Sequence, residues 1–111
     1  MVFIWYNKIM LEKYKVITLC GSARFKDDFI KVQKRFSLEG NIVLSLSFFD
    51  LDKGEVLTDE NKKLLDDIHK RKIDMSDEIY VINKGGYIGE STRFEIEYAK
   101  KKNKIVHYME N

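Results

Sequence analysis

Glu95 is the side chain of this sequence best placed to act as a nucleophile. It lies in the run Gly89-Glu90-Ser91-Thr92-Arg93-Phe94-Glu95-Ile96-Glu97-Tyr98-Ala99, where a strand, a Gly-rich turn and the start of a helix meet. A carboxylate in the first turn of such a helix points into the crevice beyond the sheet, where it can attack an electrophilic sugar carbon. The same spacing has a structural explanation. Thr92-Arg93-Phe94-Glu95 satisfies the capping box, in which Glu95 only returns a hydrogen bond to the backbone N–H of Thr92. Both readings stand. Glu90 and Glu97 read as solvent-facing, Glu97 because it lies away from Ile96 and Ala99.

A second strand-to-helix turn lies upstream, where Val16-Ile17-Thr18-Leu19-Cys20 runs into Gly21-Ser22. Free backbone N–H groups and the Ser22 hydroxyl at this helix start can hold a phosphate or carboxylate, with Arg24 as counter-charge. The plain alternative is a Ser N-cap behind a Gly turn. Asp27 and Asp28 occupy the same first turn and oppose a highly charged ligand, so a nucleoside or monophosphate fits better than a triphosphate. Neither G-x-x-x-x-G-K-[ST] nor G-x-G-x-x-G is present. His69 follows Leu65 by four and precedes Ile73 by four, which puts it at the edge of a buried stripe as a packed histidine. His69 and His107 are distant in sequence and read as having no Cys partner, so no metal site is expected. Cys20, at the end of a buried strand, reads as a small core residue.

The elements that must position these groups alternate regularly. Residues 15–20 form a β-branched and apolar first strand, and Phe25, Phe29, Val32 and Phe36 make one helical stripe closed by Gly40. A second strand covers residues 42–46, and Asp50-Leu51-Asp52-Lys53-Gly54 is a polar loop after it. Thr58 or Asp59 opens a long helix with Leu64, Leu65, Ile68, Ile73 and Met75 inward. Asp77-Glu78 leads into a third strand over residues 79–82, a helix covers residues 91–102, and residues 105–108 close the sheet. This order predicts parallel strands joined by right-handed crossovers in a three-layer α/β sandwich with four to five strands. The first and third strands are expected side by side at the switch in strand order, so both Gly-Ser turns open onto one crevice.

Composition narrows the function classes. The 111 residues suit one domain, and a formal net charge of +2 spread among acidic neighbours gives no nucleic-acid polymer footprint. One cysteine excludes an internal disulfide and fits a reducing compartment, with the cytoplasm expected. Residues 1–6 are apolar but too short for a signal or a membrane span. Met10 can equally be the start of the domain, so residues 1–9 read as an N-terminal extension before a single domain over residues 10–111. An aromatic content of 13% suggests surface buried in a homodimer or larger oligomer.

Leu19-Cys20-Gly21-Ser22-Ala23-Arg24 together with Gly89 to Ala99 resembles the nucleoside 2-deoxyribosyltransferase-like superfamily, over nearly the whole chain after Met10. That superfamily includes base-exchanging deoxyribosyltransferases and 2'-deoxynucleoside 5'-phosphate N-hydrolases, and the resemblance implies a Rossmann-like or flavodoxin-like fold assembled as a homodimer or larger homo-oligomer. The resemblance implies that Glu95, which opens a Glu-x-x-x-Ala pattern closed by Ala99, attacks C1' of the deoxyribose and forms a glycosyl ester. It places sugar or phosphate contacts on Gly21, Ser22, Gly89, Ser91 and Thr92, and it implies no cofactor and no metal. Its partner is a small nucleoside or nucleotide. The chain departs from the family at two positions. His69 stands where the family has an Asp that serves the departing base, with Asp74 replacing it only in a different register, and Arg93 stands where a small residue is expected. His69 can donate a proton near neutral pH, and Arg93, like Arg24, can bind a phosphate. A different class, a nucleotide-binding or sensing module without chemistry, fits the same crevice.

Overall fold

The computed structural model describes residues 14–48 and 54–111. The proposed extension over residues 1–9, and Asp50 to Lys53 of the polar loop, lie outside the described residues. Four strands, β1 (Val16–Gly21), β2 (Ile42–Leu44), β3 (Glu78–Ile82) and β4 (Ile105–Tyr108), form one parallel sheet in the order β2-β1-β3-β4. The helices are α1 (Lys26–Leu38), α2 (Asp59–Asp74) and α3 (Glu90–Lys101). This is the flavodoxin-like strand order, with the switch between β1 and β3.

Strand periodicity sorts the core into two layers. Ile17 and Leu19 of β1 and Ile82 of β3 face α1, where they bury Phe29 and Val32. Cys20 of β1 and Ile79 and Val81 of β3 face the opposite way, against Ile73 of α2 and Ile96 and Ala99 of α3. Both faces of the sheet are covered, as parallel pairing requires. The expected stripe of α1 is present, and Gly40 follows its end with a φ of 93°.

Three local expectations are corrected. The second strand stops at Leu44 instead of continuing to residue 46. On α2 the inward face is rotated: Leu64, Ile68 and Met75 are exposed, whereas His69 and Ile73 are buried. Lys72 and Ser76 account for part of that rotation, since the Thr18 hydroxyl donates to the Lys72 carbonyl at 3.0 Å and also meets the Ser76 hydroxyl. Lastly, α3 begins one turn earlier than the capping-box spacing predicts. Gly89 is its N-cap, without a side-chain hydrogen bond, and Thr92 is buried inside the helix.

The loops after β1 and β3 are tied to their surroundings. Gly21 pairs with Ile82 at a φ of 151°, and a Cβ there would stand 2.8 Å from the Ile82 carbonyl oxygen. Glycine is thus required by the approach of two strands. After β3, the Asn83 side chain donates to the Glu110 carbonyl at 2.9 Å and accepts from the Glu110 N–H at 2.8 Å, which latches the C-terminal residues onto this loop.

Candidate active site

The earlier start of α3 moves Glu95 from the first turn to the second, where it is not needed as a cap. Its carboxylate lies instead beside the imidazole of His69, with Oε2 3.1 Å from Nε2. The two atoms are close but misaligned for hydrogen bonding, so Oε2 is buried without a hydrogen-bond partner. The Cys20 Sγ, at the C-terminal end of β1, is 3.4 Å from the same Nε2. The three side chains come from a strand end and two helix interiors, and their ligating atoms lie within 4.8 Å of one another.

Burial is the first reason that the Cys20 thiol is pushed well above its ordinary pKa, and the neighbouring charge of Glu95 pushes the same way. That keeps the sulfur protonated and a poor nucleophile. The imidazole geometry agrees. In a nucleophile-base-acid triad the acid binds the ring nitrogen opposite the nucleophile, whereas here sulfur and carboxylate both face Nε2. Cys20 is therefore not activated as a thiol nucleophile.

Two clefts meet at Glu95. One of about 140 Å³ is lined by Leu46 and Ser47 after β2, by Leu65, Asp66, His69 and Lys72 of α2, and by Glu95. A larger one of about 270 Å³ runs between α2 and α3 past Asp66, Lys70, Ser91, Phe94, Glu95 and Tyr98. Because Asp66 and Glu95 line both, the carboxylate stands at their junction. Lys72 donates to the Ser45 carbonyl at 2.6 Å, and burial lowers its pKa.

The other expected residues fall into separate groups. Ser91 shares the larger cleft with Glu95. Ser22 caps a short 3-10 turn over Ala23–Phe25, accepting from the Arg24 N–H at 3.3 Å, and α1 starts only afterwards. The Arg24 guanidinium stacks on Tyr87, 4.1 Å from the ring centroid, and donates to its hydroxyl at 3.3 Å. A Cβ on Gly89 would lie 3.4 Å from that hydroxyl, so Arg24, Tyr87 and Gly89 join the β1 and β3 loops. Arg93 is exposed and Thr92 is buried, and neither lines a cleft. Asp74 is engaged elsewhere, accepting from the Tyr98 hydroxyl at 2.7 Å.

Tyr87 and the Cys20 contact were not anticipated. The expectation that the histidines have no cysteine partner is overturned, because Cys20 touches His69. Strand parity carried a usable signal: with Ile17 and Leu19 on one face, Cys20 must share the other face with Thr18. No protein-family model, curated protein or solved structure matches this chain.

Proposed function

We propose that this protein cleaves or exchanges the N-glycosidic bond of a deoxynucleoside or deoxynucleoside 5'-monophosphate through a covalent ester on Glu95. The observation that carries this reading is the Glu95 carboxylate oxygen, buried without a hydrogen bond beside His69 where the two clefts meet. Displacement at C1' needs the nucleophile and the departing nitrogen on opposite faces of the carbon, and retaining glycosidases hold the two groups about 5–5.5 Å apart, so His69 turns from Glu95 to the base as the substrate enters between them. A Glu95 oxygen attacks C1', the C1'–N bond breaks, and its electron pair stays on the base, which takes a proton from protonated His69. Water or a second base then attacks C1' from the opposite side and releases the carboxylate. Two displacements give net retention. The proton of the attacking water, or of the N–H of the incoming base, returns to His69.

The Arg24–Tyr87 pair and Ser22 supply the donors for a 5'-phosphate, and Ser91 a hydroxyl beside the nucleophile. The resemblance of the Gly-Ser turn and the Glu95 helix to deoxyribosyltransferase-like proteins supports the same substrate class. The test incubates the protein with the four deoxynucleosides and their monophosphates, with and without a second free base, and follows the bases by chromatography. Release identifies a hydrolase and exchange a transferase. Ligand-induced stabilisation without turnover would replace this reading with a nucleotide-binding module.

A further inference from the structure

We infer that Cys20, His69 and Glu95 form a binding site for a zinc-type divalent ion. One thiolate, one imidazole and one carboxylate make a donor set suited to Zn²⁺ or Co²⁺ and not to Mg²⁺ or Ca²⁺, which prefer all-oxygen cages. The spacing fits as well. With Zn–S near 2.3 Å and Zn–N or Zn–O near 2.0–2.1 Å, tetrahedral ligand atoms stand about 3.3–3.6 Å apart. Here sulfur and nitrogen are 3.4 Å apart and nitrogen and oxygen 3.1 Å, close to those values, while sulfur and carboxylate, within 4.8 Å of each other, would draw together on the ion.

Three further observations favour a cation over a merely packed trio. Sulfur and carboxylate both lie within 3.4 Å of the same ring nitrogen, whose lone pair can take an ion when the proton is on Nδ1. The Glu95 Oε2 is buried without a hydrogen bond, an unmet demand that a positive ion satisfies. A divalent ion displaces the thiol proton to solvent and cancels the charges of the thiolate so formed and of the carboxylate, which offsets the cost of burying them. Because the ligands sit on β1, α2 and α3, the site is held by the packed core. Three protein ligands leave a fourth position, and the 140 Å³ cleft lined by His69 and Glu95 is where it can open.

Resting on the glycosyl-transfer reading, one consequence follows: an ion at this site occupies both the Glu95 carboxylate and the His69 lone pair, so it inhibits turnover. The full chain, reduced and stripped with a chelator, is titrated with Co²⁺ and followed by absorption. The expected result is one equivalent bound, intense visible bands of four-coordinate cobalt and a thiolate-to-cobalt band in the near ultraviolet, all displaced by Zn²⁺. Cys20→Ser should lose the thiolate band. Glu95→Gln, an isosteric change, should weaken binding by more than the roughly 10–100-fold typical of an outer-shell partner. Absence of the thiolate band at one equivalent, or its persistence in folded Cys20→Ser, would overturn the site. Should Cys20→Ser fail to fold, unchanged affinity in Glu95→Gln would do so. Cobalt binding that leaves base release intact would count against the glycosyl reading while the metal site stands.

Discussion

Replacing Glu95 with alanine separates a catalytic carboxylate from a structural one. Were Glu95 part of a capping box, its loss would cost about 0.5–2 kcal/mol. The helix is capped instead at Gly89, so that contribution is missing. What remains is the lost burial of the Cγ methylene, about 0.8 kcal/mol, together with the cost of the small cavity it leaves. Against it stands relief of a buried oxygen with no hydrogen bond, a group whose desolvation costs about 1–3 kcal/mol. The two nearly cancel, leaving Glu95→Ala within about 1 kcal/mol of the parent. For a domain of this size that corresponds to a Tm change no larger than about 4–8 °C in either direction. Turnover, in contrast, should fall on the order of 10⁴-fold or more, as it does when a nucleophile is removed. Thermal melts by circular dichroism and base release by chromatography read the two quantities on the same preparation. Undiminished base release refutes the mechanism, and a fall in Tm well beyond this range refutes the assignment of the cap to Gly89.

Three other perturbations test neighbouring parts of the structure. His69→Gln should lower turnover about 10²–10⁴-fold, and less for substrates whose base departs without protonation; an equal loss for every base would deny His69 the role of acid. Gly21→Ala puts a methyl 2.8 Å from the Ile82 carbonyl oxygen at a positive φ, whereas Gly40→Ala has a positive φ and nothing within 4 Å. Both bear the left-handed cost of about 1–2 kcal/mol, and overpacking adds about 1–3 kcal/mol only at Gly21, so urea midpoints should rank them in that order. The hydrogen bond to Asp74 raises the pKa of Tyr98, with burial and the Asp74 charge adding to it. The stability from this bond is therefore complete below the ordinary tyrosine value of about 10 and is lost as pH rises through the raised folded value. Asp74→Asn should move one tyrosine to earlier ionisation in an absorbance titration, and an unchanged titration would contradict the contact.

The fold was legible because its signals are periodic and repeated. Phe25, Phe29, Val32 and Phe36 mark one face of α1, and the β-branched runs around Thr18 and Val81 fix the buried strands. Alternation of those runs with helices then leaves little choice besides a parallel sheet. The face of α2 was less legible, because Leu64, Leu65 and Ile68 satisfy helical spacing in more than one rotation. The choice is made by polar contacts, Thr18 to Lys72 and Ser76 and Cys20 to His69, whose partners are far away in the chain.

The same limit explains the candidate site. A capping box is a local pattern, and Thr92 to Glu95 satisfies it on spelling alone; yet helix starts are also decided by what the core needs. Ile96 and Ala99 must reach the sheet together with Ile88, and burying Thr92 beside them is compatible only with a helix that already runs at that point. The backbone therefore enters α3 at Gly89, a residue that offers no capping side chain but leaves room against Tyr87. Glu95 is thereby relieved of the one task that would have spent its hydrogen-bonding capacity locally. A carboxylate with no structural duty, buried beside an imidazole and open to two clefts, has its remaining valence directed at whatever enters. On the proposed reading a sugar carbon and a divalent ion compete for that valence, so a chelator is expected to protect base-releasing activity, and base release unaffected by chelator and by added Zn²⁺ would refute the competition.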